Sequence, residues 1–84
     1  YGGALEFASE ELRDDKEVVL AAVSQYGSAV DFASKALKED KEVMLAAVRS
    51  KGTVLFYAAP ALRSDREVVL AAVSQDGYAL RFAS

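Results

Sequence analysis

The chain contains no cysteine and no histidine. Without cysteine there can be no disulfides, thiolate metal sites or cysteine nucleophiles. Without histidine the commonest general base is gone, and with it the usual zinc sites. Proline occurs once, at Pro60. No apolar run reaches the roughly 18 residues of a membrane-spanning helix. No basic stretch followed by an apolar one opens the sequence, so no signal peptide is expected. No glycine-rich phosphate loop is present. An excess of one charge is also missing: thirteen acidic residues against ten basic ones leave a net charge of -3. That mild acidity argues against nonspecific binding to nucleic acid or anionic membrane, which both require positive potential.

What remains is apolar and repetitive. The 84 residues allow one small domain, and 52% of them are hydrophobic. A globule this small buries only about two-thirds of the surface of its unfolded chain, so it needs a dense core or partners. Asp15-Lys16-Glu17-Val18-Val19-Leu20-Ala21-Ala22-Val23 returns, nearly unchanged, at 40–48 and 65–73. Glycine keeps the same 25-residue step at Gly2, Gly27, Gly52 and Gly77. An aromatic followed by alanine does so at Phe7, Phe32, Tyr57 and Phe82, and leucine at Leu12, Leu37 and Leu62. The chain therefore divides into a half repeat at 1–14 and repeats at 15–39, 40–64 and 65–84, all within a single helical-repeat domain at 1–84.

Each repeat reads as two helical pieces and a turn. The first helix starts near Asp15 and ends before Gly27. Ser64-Asp65-Arg66-Glu67 and Asp14-Asp15-Lys16-Glu17 fit capping boxes, while Asp40 caps the middle copy alone. The glycines fit the left-handed position that ends a helix. The second helix covers about 28–34 and breaks near Ser9, Ser34 and Ala59, because Pro60 is tolerated at a first helical position and not in a helix interior. A short turn of helix, of the tight 3₁₀ kind, then carries Leu12, Leu37 and Leu62 inward; the alternative is one kinked second helix. Val18 to Val23 are apolar around the whole circumference, so this helix must be buried on several sides. A single hairpin cannot do that, and a stack of repeats can. The expected fold is all-α: a short α-solenoid of three and a half 25-residue helix-turn-helix repeats.

The residues at 15–23, the following glycine, Ala-Leu-x-Phe-Ala-Ser at 4–9 and 79–84, and Glu-Glu-Leu-Arg at 10–13 resemble the uncharacterised helical-repeat family catalogued as domain of unknown function 4116. The resemblance covers essentially the whole chain, with departures at Tyr57, Ala59 and Pro60. It implies a tandem helical array. It brings no established activity and no functional residues.

Function must then lie where the copies differ. One edge carries basic rows, Arg13, Lys38, Arg63 and Lys16, Lys41, Arg66, among eight acids: Asp14, Asp15, Glu17, Glu39, Asp40, Glu42, Asp65 and Glu67. Acids outnumber bases there, so the edge reads as solvated and self-paired. The opposite edge, around the glycines, varies most and presents Tyr1, Tyr26, Arg49, Lys51, Asp76 and Tyr78. Aromatics and arginine are enriched at interface hot spots. The row Glu6, Asp31, Phe56, Arg81 should face solvent, which makes Phe56 a contact candidate; the competing reading folds Phe56 onto Tyr57 or a neighbouring repeat. Carboxylates sit at caps and on exposed rows, not across an apolar cleft, so no enzyme is expected. Neither are a cofactor, a metal, a small-molecule substrate, a nucleic acid or a membrane partner. The expected function is a non-catalytic protein-interaction scaffold. The alternative is a structural subunit that binds copies of itself, forming a filament through uncapped ends.

Overall fold

A computed structural model describes residues 9–83. Tyr1, Gly2, Glu6 and Phe7, named above, lie outside the described residues. Those described are mostly helical, joined by short turns and extended residues, with no strand among them. Three ten-residue α-helices form the first layer: α2 (Lys16–Gln25), α4 (Lys41–Ser50) and α6 (Arg66–Gln75). Each is followed by a six-residue 3₁₀ helix, at Gly27–Phe32, Gly52–Tyr57 and Gly77–Phe82. Single α-turns, α1 (Glu10–Arg13), α3 (Lys35–Lys38) and α5 (Pro60–Arg63), precede the three long helices. The same order of elements therefore recurs at the 25-residue step of the sequence.

Local chemistry sets the boundaries. Asp15, Asp40 and Asp65 cap the long helices, their carboxylates accepting from the amides of Val18, Val43 and Val68. Asp40 caps as expected, while the caps at Asp15 and Asp65 fall one residue later than the expected boxes. Ser64 instead donates back to the carbonyls of Pro60 and Ala61, and Asp14 accepts from the Ser34 hydroxyl of the next unit at 2.6 Å. The breaks fall at Ser9, Ser34 and Ala59, as Pro60 required, and each is the N-cap of its α-turn. The turn after each break is α rather than 3₁₀. The tight helix is the segment that follows the glycine.

A three-residue period explains that segment's burial. Residues three apart eclipse one another in a 3₁₀ helix. Gly27, Val30 and Ala33 form one buried column, and Gly52, Leu55 and Ala58 form another. Ala29 and Val54 start a second buried column, continued by the partly exposed Phe32 and the exposed Tyr57. The third column, Ser28–Asp31, Thr53–Phe56 and Tyr78–Arg81, faces outward.

The glycines correct the sequence reading. Among the described residues, Gly27, Gly52 and Gly77 have no positive φ, so none of them ends its helix in a left-handed turn. Their role is spatial. A Cβ on Gly27 would stand 2.7 Å from the carbonyl oxygen of Ala47, in the next long helix. One on Gly52 would collide with the carbonyl of Ala72. The glycine amides also bond across to that helix, Gly27 donating to Ser50 Oγ and Gly52 to Gln75 Oε1.

Helix α4 packs against both α2 and α6 and against the 3₁₀ helices on either side of it in sequence. Of its six apolar residues from Val43 to Val48, none is exposed. Helices α2 and α6 each leave one such residue exposed, Ala21 and Leu70. Leu37 and Leu62 point inward as expected, but Leu12 is 46% exposed. The turn carrying Leu37 lies against an earlier unit, with Arg13 O accepting from Ser34 N–H, and no such neighbour is described for Leu12.

The glycine contacts yield a paired prediction. Gly52→Ala should destabilise the fold by about 1–3 kcal/mol, the usual range for overpacking against backbone. Gly77, with nothing within 4 Å of its would-be Cβ and an ordinary φ, should accept alanine with a gain of about 0.4–1 kcal/mol. Urea unfolding followed by circular dichroism measures both. Equal effects at the two positions would contradict the close-approach account.

Candidate interaction surface

The long helices end on residues of extended backbone, Tyr26, Lys51 and Asp76, with φ of -148°, -150° and -152°. Each amide still closes its helix by bonding to Ala22, Ala47 or Ala72. That extended geometry turns the side chain outward, and all three are exposed. Arg49, on the last turn of α4, and Tyr78, in the outward column of the third 3₁₀ helix, are exposed as well. Asp76 accepts from the Tyr78 amide at 3.0 Å. Tyr1 lies outside the described residues.

Phe56 combines both of its sequence readings. It is 58% exposed, and its ring also meets two others edge-on. Tyr57 is 5.5 Å away and Phe82, of the next unit, 5.4 Å, centroid to centroid. The Arg81 guanidinium extends the cluster, 5.9 Å from the Phe82 ring and 5.4 Å from that of Tyr78. An open groove of about 360 Å³ runs beside these rings. Ser28, Thr53, Val54, Phe56, Tyr57 and Phe82 line it from all three 3₁₀ helices, together with Lys51.

Two residues singled out from the sequence, Lys51 and Phe56, thus meet in one groove. Tyr26, Arg49, Asp76 and Tyr78 do not line it. Tyr57, Phe82, Ser28 and Thr53 were not singled out. The signal that finds them is a three-residue period after each glycine, which puts Ser28 and Thr53 in the column of position 56 and Tyr57 and Phe82 in the column beside it.

The Phe56 row has a second consequence. In the preceding unit its position is Asp31, which pairs with Lys38 at 3.8 Å. With phenylalanine there, Arg63, the equivalent of Lys38, makes no salt bridge among the described residues. Its Nε is buried without a hydrogen-bond partner.

The charged edge pairs from unit to unit. Lys16 reaches Asp40 at 3.1 Å and Glu42 at 2.8 Å. Lys41 reaches Asp65 at 3.2 Å and Glu67 at 3.0 Å. Glu42 first and Asp40 second, as hydrogen-bond partners, hold the Lys16 ammonium above its ordinary value of 10.5, and Glu67 and Asp65 do the same for Lys41. Partial burial pushes the Asp40 carboxyl up, but the Val43 amide and Lys16 together outweigh it and leave the group below its ordinary 3.8. The Val68 amide and then Lys41 lower Asp65 likewise. A second groove, about 590 Å³, lies among Glu10, Glu11, Arg13, Asp14 and Asp31, beside Phe32. Among the described residues no group of three or more carboxylates is placed to hold a metal ion, and no helix is long and apolar enough to cross a membrane.

With helices and no strand among the described residues, and one aromatic and one charged groove, the fold defines a class, the small helical domain. The model of the family described as a domain of unknown function (DUF4116) matches residues 1–38 and 40–84, and the chain belongs to that family. No curated protein and no solved structure gives a significant match to it.

The charged ladder predicts a pH dependence. A lowered carboxyl contributes stability above its ordinary pKa of 3.8 that is lost as pH falls through the folded-state value. A raised lysine contributes below 10.5 what is lost as pH rises through its folded-state value. Combining Lys16→Met with Lys41→Met should therefore lower the melting temperature at neutral pH. The difference should close at about pH 2, where the carboxylates are protonated in both proteins. Thermal melts at the two pH values test this. A gap that persists in acid would mean that the lysine stems, not their charges, stabilise the fold.

Proposed function

We propose that the chain is a short α-solenoid of three and a half 25-residue repeats acting as a non-catalytic protein-interaction scaffold, with the aromatic groove as its contact surface. The recurring element order and the packing of α4 between α2 and α6, with none of its apolar residues from Val43 to Val48 exposed, support the architecture. The observation that carries the function is Phe56, a large ring left 58% exposed at the edge of an open groove. Aromatic side chains that remain exposed beside a concavity are the usual anchors of protein contacts. The partner is another protein. No catalytic group, cofactor or substrate enters this reading.

A second reading, self-assembly into a filament, is favoured by a different face. Leu80 is 62% exposed, whereas Leu55, its counterpart in the middle unit, is fully buried. Nothing lies over Gly77, and Arg66 has no ion pair among the described residues. This face repeats what the middle unit presents to its successor, so it could receive a unit from another copy.

Sedimentation velocity across concentration separates the two readings. A stable monomer is expected of the scaffold, and growth without limit would replace that reading with the filament. Phe56→Glu, as a surface change, should keep full helicity and shift stability by no more than about 0.5 kcal/mol. Loss of helicity in that variant would make Phe56 a core residue and end the contact-surface reading.

A further inference from the structure

We infer that the groove beside Phe56 receives a short peptide segment carrying an apolar side chain next to a carboxylate. The inference rests on the interaction-surface reading and specifies its partner. At about 360 Å³ the groove lies at the small end of binding sites and takes one or two side chains, not a whole helix. Its lining is aromatic: Phe56 and Phe82 stand edge-on in direct contact, and an apolar side chain laid against the pair gains area at little cost in ordering.

Charge selects what flanks that side chain. Lys51 is the one ionisable cation or carboxylate lining the groove, and no acid joins it. Arg81 lies over the outer face of the aromatic cluster. Both cations stand out on a molecule whose net charge is -3. The chain as a whole attracts basic partners, but the groove itself rewards a carboxylate beside the apolar anchor. Ser28 and Thr53 line the same groove, and their hydroxyls, which have no hydrogen-bond partner among the described residues, are free to bond the peptide's backbone.

Selection from short random peptides displayed on phage, against the immobilised 84-residue chain, tests this. Enriched peptides are then synthesised and titrated by fluorescence anisotropy. They should carry leucine or an aromatic beside aspartate or glutamate. Phe56→Glu should weaken them by about tenfold or more, roughly the effect of losing one interface anchor. Lys51→Glu should invert the preference, so that versions with lysine in place of the acids bind better. Circular dichroism checks the fold of each variant, and Phe56→Ala, which removes the ring without adding a charge, should weaken binding as well. Peptides that need Phe56 but prefer lysine against the parent chain would overturn the charge assignment and leave the interaction reading intact. No enrichment, or binding indifferent to every change at Phe56, would overturn both.

Discussion

The spacing between successive units depends on how closely a glycine of one unit approaches the helix end of the next. Gly27 lies over the carbonyl of Ala47, and Gly52 over that of Ala72. No side chain fits between. Because the glycines keep ordinary negative φ values, the requirement concerns space and not backbone torsion. Each glycine amide then bonds to a side chain on the same helix, Ser50 or Gln75, which fixes the approach in direction as well as distance. At the other end of the long helices, Lys16 and Lys41 reach the capping aspartates of the following unit. Each junction is thereby held at both ends, by backbone contact at one and by charge at the other.

That arrangement explains how such short helices persist. Ten residues make a helix of about 15 Å, below the length at which isolated helices are stable in water. Packing must supply the difference. Helix α4 has it from α2, α6 and two 3₁₀ helices, and its valines, Met44 and Ala47 are fully buried. Helices α2 and α6 have one packed neighbour among the long helices and correspondingly more exposure. The ion pairs contribute orientation more than energy, since their lysines are exposed and screened.

The sequence disclosed the period, the long helices and the break before Pro60, because each rests on a local rule or on plain recurrence. It hid what depends on a neighbouring unit. The glycines look like helix terminators, since that is their commonest local use; only the position of Ala47 and Ala72 reveals the contact they permit. Asp40 caps as expected, but the other two caps fall one residue later than their boxes, because Asp14 and Ser64 have capping chemistry themselves and spend it on the Ser34 hydroxyl and on the carbonyls of the preceding turn. The 3₁₀ segments were read as ordinary second helices, for six residues are too few to distinguish a period of 3.0 from one of 3.6. Phe56 was visible as an exception in a charged row. Its partner Phe82 lies 26 residues on and belonged to a column that only the tighter helix defines.

The position of residue 56 shows where folding ends as an explanation. Asp31, Phe56 and Arg81 occupy the same outward column of three similar 3₁₀ helices. The backbone keeps all three exposed and does not choose among them. Aspartate there gives Lys38 a partner. Phenylalanine removes that option and leaves Arg63 Nε buried and unbonded, a loss to stability in a fold of this size. Packing with Tyr57 and Phe82 recovers part of the loss, yet more than half of the ring remains in water. A residue selected only for the fold would be polar at this position, as it is on either side. An exposed ring that stands where the preceding unit forms an ion pair, and that overlooks a groove, is what the proposed contact surface would explain: a partner covering the ring would bury it, and the aromatic lining and Lys51 set the chemistry proposed for that partner.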